Sequence, residues 1–161
     1  MALMARRLSA VEPAATVTLR PMKSDEFEAF AERSVRRYAA DNVEAGRATA
    51  ATALDDARRE LAALLPAGQA TPGHHFWQVH DDDILVGYLW LAEGAEAAYV
   101  FDVMILEDLR GLGYGRRTMQ AAHRAAADAG AGRIELNVFD HNVTARTLYE
   151  RLGYEEVPET G

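Results

Sequence analysis

Apolar positions change period several times along this chain, and each change marks an element. Residues 16–20 (TVTLR) alternate and favour β-branched side chains, which predicts a strand closed by Pro21. Ser24 follows as a helix N-cap, with Asp25 and Glu26 in the first turn, where the helix dipole favours anions. Phe27, Phe30, Ala31, Val35 and Tyr38 recur at helical spacing. A break near Gly46 leads to a second helix over roughly 49–65, striped by Leu54, Ala57, Leu61 and Leu64 and ended by Pro66. Two strands, 75–80 and 84–92, flank the acidic turn DDD as a hairpin, and 97–106 is a third, longer strand. The period then returns to helical. Residues 115–129 place Met119, Ala122, Ala126 and Ala129 on one face, with Gly130 as the stop.

Residues 133–139 form a further strand. The last helix, 142–152, has Ala145, Leu148, Tyr149 and Leu152 on one face, and 154–157 begin a final strand. The order β-α-α-β-β-β-α-β-α, with that added strand, predicts an α/β fold built on a mixed sheet. Residues 1–15 read as a flexible leader, and 16–161 as a single domain.

Composition narrows the chemistry. The 161 residues contain no cysteine, which excludes disulfides, thiolate metal sites and a cysteine nucleophile, and suits a reducing cytoplasm. The net charge of −8 argues against a nucleic-acid surface and suits cationic partners such as amines, although it also simply aids solubility. No segment has the length of a membrane span, and the N-terminus lacks the apolar run of a signal peptide. The five histidines have no metal-ligand spacing, so no metal is expected. Ser9, Ser24 and Ser34 are the only serines, and none lies in GxSxG.

One stretch demands a chemical reason. RGLGYGRR (110–117) puts glycine at every second position just before a helix. A helix N-terminus offers unpaired N–H groups and partial positive charge, and a turn without Cβ atoms lets a ligand approach the backbone. Gly111, Gly113 and Gly115 therefore form a candidate phosphate site. Arg116 and Arg117 fall in the first turn, where the dipole disfavours each cation by ~0.3–1 kcal/mol. A polyphosphate would reverse that sign; Arg117 is otherwise read as facing solvent. The stretch is neither a P-loop, since no GK[ST] follows, nor a dinucleotide fingerprint, since the last glycine of GxGxxG would be Arg116.

Arg110-x-x-Gly113-x-Gly115 resembles the Q/R-x-x-G-x-G/A pyrophosphate segment of the GCN5-related N-acetyltransferases (GNAT). The run NVTARTLYERLGY (142–154) resembles that family's last helix. The likeness is specific over about 97–157 and implies a sheet with splayed middle strands flanked by helices. It implies acetyl-CoA as cofactor, its pyrophosphate on the amides of Gly111, Leu112, Gly113, Tyr114, Gly115 and Arg116. The pantetheine arm would pair with the backbone of Val103, Met104 and Ile105. Asn142, and less directly Asn137, would contact that arm or hold the strands apart. By the same resemblance Tyr149 would protonate the leaving thiolate, although an aromatic on an apolar helical stripe is ordinarily core. Asp102 is the first candidate general base, with Glu135 and Glu93 behind it. A strand carboxylate otherwise faces solvent or pairs with an arginine.

The implied reaction is direct attack of a primary amine on the thioester, without a covalent enzyme. The acceptor would lie near 38–56, where Asp41, Glu44, Asp55 and Asp56 would attract a cation or form ordinary solvated faces. The chain stops at EEVPETG, where family members continue, so the last strand is expected to be short or missing; one explanation is an edge completed in a homodimer. The alternative to an enzyme is a non-catalytic CoA-binding or sensor domain of the same fold.

Overall fold

The computed structural model describes residues 1–158. Its chain divides into two compact units: Met22–His74, and Met1–Pro21 together with the residues from His75 onward.

The first unit is a helical pair. Helix α1, Ser24–Glu44, begins with the Lys23 N–H donating to Glu26 Oε1 at 2.8 Å. The expected cap thus falls one residue earlier, and Glu26 closes it. Helix α2 spans Ala53–Leu64. Val35 and Ala39 pack against Ala53 and Ala57, and small side chains let the two helices approach closely.

The second unit contains all seven strands of the described residues, in the order β2-β3-β4-β5-β6-β1-β7. These are β1 (Ala2–Arg7), β2 (Thr18–Pro21), β3 (His74–Asp81, its first residue belonging to the helical unit), β4 (Ile84–Ala92), β5 (Ala97–Ile105), β6 (Arg133–Val138) and β7 (Glu155–Glu156). Helix α3, Tyr114–Asp128, connects β5 to β6, which run parallel; α4, Val143–Arg151, follows β6. Val79, Leu89, Val100, Ile134 and Leu136 form one side of the core, against Met119, Ala122 and Ala126 of α3 and Tyr149 of α4. Alanines on the inner face of α3 let it lie close to the sheet, and that closeness fixes its N-terminal end.

The expected leader is instead a strand. β1 lies between β6 and β7, antiparallel to both, with Ala2 opposite Val138 and Met4 opposite both Leu136 and Glu156. Ala2 and Met4 are buried. Alanine, methionine and arginine carry weak strand propensity, so local preference does not announce β1; pairing across more than a hundred residues creates it. The final strand consists of Glu155–Glu156, continued by a Val157 N–H bond to the Leu3 carbonyl at 2.8 Å. No helix among the described residues is long and apolar enough to cross a membrane.

Candidate functional site

Two strands separate where the sequence places the cofactor arm. β5 and β6 pair in parallel only from Ala97/Arg133 to Val100/Leu136. Beyond that point β5 stays with β4, as far as Ile105 opposite Gly87, while β6 stays with β1, as far as Val138 opposite Ala2. Val103, Met104 and Ile105 thus lie on the diverging arm of a fork. Two details shape it. The β4–β5 register shifts between Trp90 and Leu91, leaving Phe101 as the extra residue of a bulge, its ring stacked on Trp90 at 4.6 Å. A Cβ at Gly87 would run into the Met104 carbonyl, so glycine is what lets the two backbones meet there. Asn137 Nδ2 donates to the Tyr99 hydroxyl across the fork just where pairing ends.

Asn142 follows β6 in the chain. It is the N-cap of α4, its Oδ1 accepting from the Ala145 N–H at 3.2 Å. Helix α3 contrasts with it. Its N-cap is Gly113, in the left-handed region at φ 87°, and no side chain caps it. Gly111 is also left-handed, at φ 78°. A Cβ at either glycine would meet nothing within 4 Å, so the backbone here borders open space. Gly115 serves packing: its Cβ would stand 3.1 Å from a Leu148 methyl, so α3 and α4 approach closely there. The three glycines thus divide into two that bend the backbone and one that admits a neighbour.

The cations around this turn also divide. Arg116 is exposed and forms no ion pair among the described residues. Arg110 turns back, its Nε donating to the Ile105 carbonyl at 3.1 Å, which ties the turn to the end of β5. Arg117, expected to face solvent, instead pairs with Asp81 at 3.1 Å and donates to the Thr16 hydroxyl at 2.9 Å. Tyr114 also donates to Asp81, at 2.7 Å. Nothing local in the sequence links positions 16, 81, 114 and 117.

Tyr149 is 7% exposed, in the core on α4, its ring 5.7 Å from that of Tyr154. Asp102 is half-buried opposite Trp90 on β5. Glu135 is paired with Arg133 at 2.8 Å, and exposed Glu93 with His75 at 2.8 Å. Asp41 and Glu44 lie in the last turn of α1, Asp55 and Asp56 in the first turn of α2, with Asp56 bonded to Arg59. A groove of about 340 Å³ within the helical pair is lined by Phe27, Val35, Leu61 and Leu65 among others, and by none of the expected cofactor residues.

A mixed sheet forked between β5 and β6, with an uncapped, glycine-led helix beside the fork, defines an acetyltransferase architecture. The acetyltransferase (GNAT) family model matches residues 47–154. Over 147 residues the chain is 35% identical to the uncharacterised N-acetyltransferase YycN of Bacillus subtilis, covering 88% of this chain and 94% of that protein. It is 32% identical to the uncharacterised N-acetyltransferase YdgE of the same organism, over 85% and 90% of the two chains. The crystal structure of YycN superposes with a TM-score of 0.85 at 33% identity, covering 91% of this chain and 96% of that one. The chain belongs to the acetyltransferase (GNAT) family and is an N-acetyltransferase.

Proposed function

We propose that this enzyme moves the acetyl group of acetyl-CoA to a primary amine by direct attack, in a reducing cytoplasm. The observation that carries the reading is the α3 terminus. Its amides lack a side-chain cap, two left-handed glycines lead into them beside open space, and Arg116, without an ion pair among the described residues, stands in the first turn. Such an exposed terminus leaves its amides open to an acceptor, and a diphosphate is one that its partial positive charge favours. The amides of residues 111–116 would hold that group, with Arg116 meeting a phosphate and the backbone of Val103, Met104 and Ile105 lining the arm. Acetyl-CoA supplies an acetyl group already activated as a thioester.

The side chains then manage protons. Asp102 on β5 is assigned to take the proton an amine must shed before it attacks, since free alkylamines titrate near pKa ~10. Tyr149 is assigned to donate its phenolic proton to the departing sulfur. A backbone N–H near Ile105 would polarise the thioester carbonyl. The residues of the first turn bind and orient; they do not react.

The test is a screen of primary amines with acetyl-CoA, read as release of free thiol. Tyr149→Phe should lower kcat about a hundredfold while changing CoA affinity little. Tight CoA binding with no turnover on any amine would defeat the transfer reading. Wild-type kcat in Tyr149→Phe would remove Tyr149 from it.

A further inference from the structure

The geometry points to Asp81 as a positioning residue: by gripping Tyr114 and Arg117 together, its carboxylate fixes the first turn of α3 and the main-chain amides it presents. The inference rests on the reading above, in which that turn binds the CoA diphosphate.

The network is dense. Asp81 Oδ2 accepts from the Tyr114 hydroxyl at 2.7 Å and from Arg117 Nη1 at 3.1 Å, and Oδ1 accepts from Arg117 Nη2 at 3.3 Å. This is a forked guanidinium–carboxylate pair, which restricts orientation as well as distance. The other face of the guanidinium is also engaged: Nε donates to the Thr16 hydroxyl at 2.9 Å and Nη2 to the Thr16 carbonyl at 2.8 Å. Arg117 also lies over the Tyr114 ring, 5.0 Å from its centre. The end of β3, the segment before β2 and the start of α3 are thereby joined through one cation.

The placement matters because of what borders it. Tyr114 and Arg117 bracket Gly115 and Arg116. On the preceding side stand Gly111 and Gly113, the residue type with the largest conformational freedom. No side chain caps the helix. Arg110 ties the glycine-led turn to β5 on its preceding side, and the Asp81 network tethers its following side.

The charges agree. Two arginines in a first turn oppose the helix dipole, and a carboxylate beside that terminus offsets them. Asp81 balances Arg117, so its negative charge adds little repulsion toward a bound phosphate. The Tyr114 hydrogen bond, then Arg117, holds the Asp81 carboxyl below its ordinary range, so it stays ionised at neutral pH. Arg117 is thus committed to the protein, and Arg116, exposed and unpaired among the described residues, is left for the ligand.

Calorimetry with CoA on the full chain tests this. Asp81→Ala should weaken CoA about tenfold, the scale of losing charge-assisted hydrogen bonds that order a site. Asp81→Asn, which keeps an acceptor without charge, should fall between Asp81→Ala and wild type. Tyr114→Phe removes one bond, keeps the fold, and should cost about two- to threefold. The double variant Asp81→Ala with Tyr114→Phe should lose no more than Asp81→Ala alone, since both act through one network. Ile134→Val, a core change that lowers stability elsewhere, should keep CoA affinity within about twofold. Asp81→Ala binding as wild type would overturn the inference, as would Ile134→Val losing affinity equally for the same drop in melting temperature. A wild-type chain that ignores CoA would instead overturn the cofactor reading itself.

Discussion

His123 shows how a side chain dismissed as a metal ligand can still govern behaviour. It is 2% exposed on α3 and hydrogen-bonds through Nε2 to the Tyr154 hydroxyl at 2.7 Å. Burial, with smaller opposed effects from Arg6 and Glu12, lowers its pKa from 6.5 to about 4. Between those values the unfolded chain binds a proton that the folded chain refuses, so stability rises with pH across the window and is lost as pH falls through it. The loss is at most about 3 kcal/mol. Denaturant melts from pH 4 to 7 should show that slope, and His123→Gln, which keeps a partner for Tyr154 but does not titrate, should flatten it. At this scale the sequence was informative where the backbone carries the reason. The glycine rhythm of 111–115 was visible because alternate glycines are locally anomalous. The partners of Arg117 were invisible, because Thr16 and Asp81 come from distant segments, and a helical arginine ordinarily faces water.

Elements were legible where a period or stop residue encodes them. Gly130 and Gly153 end α3 and α4 in the same way: each is left-handed, and the residue after it donates back to a carbonyl of the last turn, Ala131 to Ala126 and Tyr154 to Tyr149, at 3.1 and 3.0 Å. The run LGY is therefore a helix-stop motif that also brings Tyr154 under Tyr149. Periodicity did not show the bulge at Phe101, nor where β5 and β6 part, because both depend on register between strands. Gly87 is the residue that tests this level. Gly87→Ala must push β5 away at Met104, costing about 1–3 kcal/mol as overpacking does. Because Met104 lies on the arm of the fork, thiol release from acetyl-CoA should fall as well. Paired denaturation and activity assays would show both losses, and an unchanged variant would mean the strand edge tolerates displacement.

For the molecule as a whole, the least legible feature is the most consequential. β1 closes the sheet between β6 and β7, and Arg6 adds a bond from Nε to the Leu152 carbonyl at 2.8 Å and an ion pair with buried Glu12 at 3.1 Å. Removing residues 1–7 should expose the β6 edge and leave Glu12 without its cation. Size-exclusion chromatography should then show aggregation, or thermal melts a strongly reduced melting temperature, where a true leader would leave both unchanged. The same strand order constrains biosynthesis. β1 is made before either of its neighbours, and both are made more than 120 residues later, so it leaves the ribosome as an unpaired ribbon and waits while those residues are translated. The sheet closes only by a long-range docking event once β6 and β7 have been made, a slow step by topology, and the nascent chain is exposed to misassociation until then.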